Sequence, residues 1–116
     1  METISPSRYE KFTTSRQEPL RLSIALDEFI RMDIPVCHRE EYIAYLRRRI
    51  RPAIMSLCRE DDTLRLSALH REIAFPSDAI QHAVVLAAEE RKTAALVWLL
   101  RCKQETCGFH DREFSL

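Results

Sequence analysis

The chain has 116 residues, of which 46% are hydrophobic, 31% are charged and one is glycine. This length and composition predict a single folded domain and exclude a disordered chain, because enough apolar side chains are present to form a core. The 18 basic and 18 acidic residues leave no formal net charge. Neutrality counts against a dedicated nucleic-acid-binding protein, since such proteins carry a surplus of positive charge.

Residues 1–18 are polar and show no hydrophobic periodicity, which predicts a flexible N-terminal arm before a single helical domain at 19–116. Tyr9 and Phe12 are the side chains that could hold this arm to the domain. Pro19 suits the first position of a helix, where its missing N–H is not needed. Apolar residues then recur with the spacing of one helix face, namely Leu22, Ala25, Leu26, Phe29 and Ile30.

Three further helices are predicted in the middle of the chain. The first covers about 39–49, with glutamates in its first turn and arginines in its last, the order that a helix dipole favours. Pro52 is expected to start a short helix of its own. Asp61 or Asp62 is expected to cap the next helix, over 63–73.

Residues 77–103 read as two helices joined by the polar turn Glu89-Glu90-Arg91-Lys92. Thr93 is expected to cap the second of them. Gly108 is the predicted left-handed C-cap of this last helix, after which residues 109–116 are expected to fold back over it. Since no segment alternates with the period of a strand, the predicted fold is all-α, with about five helices in stacked helix pairs.

A weak internal repeat supports stacking of helix pairs. Residues 40–60 align loosely with 79–103, so that Pro52 matches Thr93 and the spacing is about 40 residues, within the range of helical repeat arrays.

The sequence HAVVLAAEERKTAALVWLL at 82–100 resembles the two helices and polar turn of an ankyrin repeat. Ala87-Ala88 stand where that family has small residues, and Leu99-Leu100 match its paired leucines. The resemblance is best over 79–103 and looser over 40–116. It implies stacked helix pairs and a role in protein–protein contact. The family's Thr-Pro-Leu-His opening and glycine-rich turn are missing, so β-hairpins are not expected.

No apolar run approaches the ~18 residues that a membrane helix needs, and the first residues lack the apolar core of a secretory signal. We therefore expect a cytoplasmic protein with no membrane partner and with reduced cysteines. Cys102, Cys107 and His110 form the nearest approach to a zinc site, for which Cys58, His70 or His82 would be the fourth ligand. Their spacing is not a standard one, so free thiols are the preferred interpretation and no metal is predicted.

The chain contains no nucleophile, P-loop or dinucleotide-binding motif. We therefore expect no enzyme activity, no cofactor and no small-molecule substrate. The predicted function is a small non-catalytic module for protein–protein interaction or self-association, whose partner is another protein or itself.

The predicted partner-binding residues are Tyr45, Arg47, Arg48 and Arg51, because Tyr and Arg are enriched at interface hot spots. Only Arg47 and Arg51 of this cluster are spaced to share a helix face. The alternative is a nucleic-acid-binding or regulatory helical domain that uses the same arginines. Nucleic acid is nevertheless the less expected partner, given the neutral total charge.

Overall fold

A computed structural model describes the backbone of residues 8–114 and the side chains of residues 8–105. Seven α-helices and no strand lie within 8–114, which confirms the all-α prediction and corrects the count of about five. The helices are α1 (Arg8–Thr14), α2 (Glu18–Glu28), α3 (Val36–Arg48), α4 (Ile50–Arg59), α5 (Thr63–Glu72), α6 (Ser77–Glu89) and α7 (Thr93–Phe114). They form two compact units, the first ending at Arg49 and the second beginning at Ile50.

The first unit contains α1 to α3. Helix α1 lies inside the segment that was predicted to be a flexible arm, and its Phe12 is only 3% exposed. The Phe12 ring meets the rings of Tyr42 and Tyr45 edge-on, at centroid distances of 4.9 and 5.2 Å. Tyr9 stacks on His38 of α3 at 3.6 Å, and its hydroxyl donates to Glu41. Both aromatic residues of the predicted arm therefore contact α3.

Helix α4 begins two residues before the predicted start at Pro52. Pro52 is its third residue, still within the first turn, where backbone N–H groups have no partner inside the helix. A proline is therefore tolerated there without ending the helix. The chain breaks instead at Arg49, which has non-helical dihedral angles between α3 and α4. Arg47 and Arg51 consequently lie on different helices, not on one helix as the spacing argument required.

The second unit contains α4 to α7. Helix α4 packs on α5 and α6, and α7 packs on α5 and α6. Small buried residues on α6 let its neighbours approach closely, and long aliphatic side chains from the other helices fill the core. The buried residues of this unit include Ala53, Ile54, Leu57, Leu66, Leu69, Ala79, Ile80, Ala83, Ala87, Ala95 and Leu99.

Two turns of the second unit share one backbone conformation. Asp61 and Arg91, 30 residues apart, both adopt left-handed dihedral angles, with φ of 55° and 57°. After α4, the N–H groups of Asp61 and Asp62 donate to the carbonyls of Cys58 and Leu57, at 2.9 and 3.1 Å. This is the Schellman arrangement, which satisfies the last carbonyls of a helix.

The same bonds follow α6, where Arg91 donates to Ala88 and Lys92 to Ala87, at 3.3 and 2.8 Å. The same turn conformation thus occurs twice, 30 residues apart, and Thr63 and Thr93 begin the helices that follow the two turns. The left-handed residues are Asp and Arg instead of the usual Gly. Neither turn therefore has the glycine that would mark the repeat in the sequence.

Helix α7 continues through Gly108 to Phe114, and Gly108 does not have a positive φ. The predicted C-cap at this glycine is therefore wrong. Of the predicted fold-back of residues 109–116, residues 109–114 continue the helix instead, and residues 115 and 116 lie outside the described residues. A glycine inside a helix costs only about 1 kcal/mol, which does not end a helix whose neighbouring residues favour it. Among the described residues, no helix is both long and apolar enough to cross a membrane.

Candidate interaction surfaces

The structure places the four predicted partner-binding residues in different environments. Tyr45 is 3% exposed, so it cannot offer a contact surface. Arg47 and Arg48 are exposed at the end of α3, and neither forms an ion pair with another described residue. Arg51 belongs to the second unit and pairs with Asp78, with 2.6 Å between Nη2 and Oδ2. Of the original set, only Arg47 and Arg48 remain as neighbouring candidates.

Tyr45 is held inside the first unit by polar and aromatic contacts. Its hydroxyl donates to Glu18 Oε1 at 2.6 Å, and the guanidinium of Arg21 lies 4.8 Å from its ring centroid. Burial, together with the hydrogen bond to Glu18, raises the pKa of Tyr45 to about 12. The sequence does contain a signal for this burial, because Tyr45 lies three residues after the core residue Tyr42, on the same helix face.

Cys102 was predicted as a free thiol, and the structure places it 3.5 Å from His70, between Sγ and Nε2. The backbone N–H of Phe75 donates to His70 Nδ1 at 3.2 Å. Because Nδ1 accepts, the ring proton of neutral His70 lies on Nε2 and faces the sulfur. Cys107 and His110 have side chains outside the described residues. Within residues 8–105, no group of three metal-ligating side chains converges.

Acid is expected to destabilise the second unit through His70. Burial lowers the pKa of His70 below its ordinary 6.5, while Glu105 of α7 acts in the opposite direction. The unfolded chain therefore binds a proton at His70 more readily than the folded chain does. The contribution of neutral His70 to the free energy of unfolding is fully present above about pH 6.5 and is lost as the pH falls below it. Denaturation followed by Trp98 fluorescence at several pH values measures the effect. The variant His70→Gln should show a smaller decline, and an equal decline would contradict this assignment.

An open groove of about 560 Å³ lies between the start of α5 and the first turns of α7. Asp61 and Thr63 line it on one side, and Val97, Trp98 and Arg101 line it on the other. Asp61 Oδ1 accepts the N–H of Ala95 at 2.7 Å, so the carboxylate caps α7 from the preceding helix pair. The hydrogen bond by which Asp61 caps α7 therefore also shapes the groove.

A second surface lies where α6 and α7 run side by side. Lys103 Nζ donates to Gln81 Oε1 at 2.7 Å, which shows that these two residues share one side of the pair. Val85 follows Gln81 by four residues and Leu100 precedes Lys103 by three, so both lie on that side. Their exposed fractions are 46% and 47%.

Three more apolar residues have the helical spacing of this side and are partly or fully exposed. We call the whole set the end face, which consists of Val84, Val85, Ala88, Leu96 and Leu100. The opposite side of α6 contributes the buried residues that pack toward α4. Val84 and Ala88 fall within the apolar periodicity of α6, and periodicity does not reveal which part of an apolar stripe a neighbouring helix covers.

The turn at residues 89–92 borders the end face and has an unfavourable order of charges. Glu89 and Glu90 lie at the C-terminus of α6, and Arg91 and Lys92 lie before the N-terminus of α7. Helix dipoles favour cations at C-termini and anions at N-termini, so both pairs are reversed. Among the described residues, only Glu90 of these four has an ion-pair partner, Arg59, at 3.7 Å.

The corresponding turn at residues 59–62 has the favourable order before α5, although Glu60 follows α4 as Glu90 follows α6. Arg59 ends α4, and Asp61 and Asp62 precede α5. Asp62 accepts the N–H of Arg65 at 3.0 Å as the N-cap, one of the two capping residues that the sequence analysis named. The turn at 89–92 therefore breaks before α7 a rule that its counterpart obeys before α5, which points to a requirement outside the local structure.

Comparison with known proteins finds no family model, no curated protein and no solved structure that matches the chain. The surfaces described above are therefore the basis for a functional proposal.

Proposed function

We propose that the chain is a small non-catalytic interaction module of the stacked helix-pair type, and that it binds its partner through the end face. The observation that carries this proposal is the set of half-exposed apolar side chains on one side of α6 and α7, represented by Val85 and Leu100. Apolar patches of this kind, rimmed by polar groups, are typical of interaction sites. The proposal includes the interpretation of residues 79–103 as an ankyrin-like helix pair.

The repeated turn supports this choice of surface. Residues 30 positions apart occupy equivalent places in the two helix pairs, so Ile54 and Cys58 of α4 correspond to Val84 and Ala88 of α6. Ile54 and Cys58 are fully buried, whereas Val84 is partly exposed and Ala88 is exposed. In stacked repeats each unit covers its neighbour, and a terminal unit keeps an open face that a cap or a partner covers.

A binding comparison with two matched variants tests the proposal. Val85→Glu with Leu100→Glu alters the end face, and Arg47→Ala with Arg48→Ala alters the exposed arginines. All four positions are exposed, so both proteins are expected to fold, which circular dichroism checks. We expect the end-face variant to lose self-association and the capture of specific proteins from cell extract. The arginine variant should retain both.

The alternative function, nucleic-acid binding, rests on Arg47 and Arg48, which are exposed and lack an acidic partner among the described residues. Fluorescence anisotropy with labelled single- and double-stranded oligonucleotides at several salt concentrations tests it. Salt-sensitive binding that the arginine variant loses would favour this alternative. An end-face variant that keeps both self-association and capture would overturn the interaction module proposed here.

A further inference from the structure

We propose that the partner covering the end face is a second copy of this chain, related by a two-fold axis that places the turns at residues 89–92 antiparallel to each other. This inference rests on the proposed function and specifies the partner of that same surface. It is drawn from three features, namely the reversed charges of the turn, the exchange of Asp61 for Arg91 between the two turns, and the continuity of α7.

The reversed charges define what the partner must present. The C-terminus of α6 carries Glu89 and Glu90, has no basic residue in its last turn, and receives one cation, Arg59 of α4, which pairs with Glu90 at 3.7 Å. The N-terminus of α7 follows Arg91 and Lys92 and has no acidic residue in its own first turn, so its only anion among the described residues is Asp61, which comes from the turn after α4. An antiparallel copy of the same four residues brings a pair of opposite charge to each pair of the turn. Arg91 and Lys92 of the second copy face Glu89 and Glu90 of the first copy. Glu89 and Glu90 of the second copy face Arg91 and Lys92 of the first copy at the same time.

A two-fold arrangement of this kind is isologous, so that each favourable contact occurs twice. The apolar residues beside the turn would form the centre of the interface, with the charged turn at its rim. The chain has no formal net charge, so no overall repulsion opposes association.

The two turns differ in a way that disfavours an open stack of copies. Within the chain, Asp61 accepts the N–H of Ala95 in the first turn of the next helix pair. The equivalent residue of the last pair is Arg91, whose side chain only donates hydrogen bonds. A further helix pair stacked in the same orientation would bring its N-terminal N–H groups against a cation. A closed dimer avoids this contact.

The C-terminal half of α7 cannot take the partner's place. Helix α7 is continuous from Thr93 to Phe114, so residues 106–114 extend away from the turn and do not fold back over Leu96 and Leu100. Residues 106–114 therefore do not cover the end face.

Charge exchange in the turn tests the inference with the full chain. In one variant, Glu89→Lys and Glu90→Lys make the turn wholly basic; in the other, Arg91→Glu and Lys92→Glu make it wholly acidic. We expect the wild type to dimerise, and each variant alone to dimerise on the order of tenfold or more weakly, because like charges then face each other. An equimolar mixture should form a heterodimer. Sedimentation equilibrium and light scattering measure the mass, and circular dichroism checks folding.

Several outcomes would overturn the two-fold arrangement. These are a wild type that stays monomeric up to millimolar concentration, variants that dimerise as tightly as the wild type, and a mixture that does not associate. If a double variant fails to fold, Glu90→Lys and Arg91→Glu provide the same test with single changes. A monomeric wild type whose end-face variant still loses a specific captured protein would overturn only the two-fold dimer. An end-face variant that keeps both self-association and protein capture would overturn the proposed function itself.

Discussion

Replacing Phe12 by alanine is expected to lower the free energy of unfolding of the first unit by about 3–5 kcal/mol, the usual cost of truncating a buried phenylalanine. Phe12 is 3% exposed and meets Tyr42 and Tyr45 edge-on. The guanidinium of Arg21 also lies 5.0 Å from its ring centroid. Truncation removes all of these contacts together and leaves a cavity between α1, α2 and α3.

The aromatic residues allow the two units to be followed separately. All three tyrosines lie in the first unit and the single tryptophan lies in the second. Near-ultraviolet circular dichroism of tyrosine measures the denaturation of the first unit in Phe12→Ala, and tryptophan fluorescence measures that of the second unit. Thr13→Ala, an exposed change on the same helix, is the matched control and should alter stability by less than about 0.5 kcal/mol. Equal stabilities of the two variants would mean that residues 8–14 are a loose arm after all.

The sequence contains clear signals for most helix boundaries of the second unit. The predicted helix at 63–73 corresponds to Thr63–Glu72, and the predicted pair at 77–103 corresponds to α6 and the first half of α7. These boundaries are marked by local chemistry, namely the capping carboxylate of Asp62, the proline at 76 and the polar turn before Thr93. Local signals of this kind act within one turn of the chain and can be read without a structure.

Features that depend on tertiary contacts were not predicted. Helix α1 has a single buried residue, Phe12, so the sequence has no repeating stripe there, and its order comes from packing on α2 and α3. Tyr45 was assigned to the surface because its residue type suits interfaces, although Arg21 and Glu18 enclose it. The end face also depends on which sides of α6 and α7 are covered, and periodicity measures only how apolar a face is.

Asp61 illustrates how one residue combines a local and a tertiary role, and its replacement is the second large effect that we expect. Its φ of 55° is left-handed, a conformation that costs most non-glycine residues about 1–2 kcal/mol but that Asp and Asn tolerate. Its carboxylate also caps α7 through the N–H of Ala95 at 2.7 Å. Alanine loses both advantages, so Asp61→Ala should destabilise the second unit by about 2–3 kcal/mol.

Together with Asp61→Ala, two further substitutions at this position separate the conformational role of Asp61 from its capping role. Asp61→Gly keeps the left-handed conformation but loses the cap, so it should cost about 1–2 kcal/mol. Asp61→Asn keeps an acceptor oxygen and tolerates the conformation, so it should cost less than about 1 kcal/mol.

Arg91 provides the matched control, because it has nearly the same φ of 57° and caps no helix among the described residues. Arg91→Ala exchanges one left-handed non-glycine residue for another, so its effect should stay below about 0.5 kcal/mol. Trp98 lines the same groove as Asp61, and its fluorescence follows unfolding of all four variants. A loss in Asp61→Ala no greater than in Arg91→Ala would mean that the bond to Ala95 does not hold the two helix pairs together. Equal losses in the alanine and glycine variants would instead leave the cap as the only contribution of Asp61.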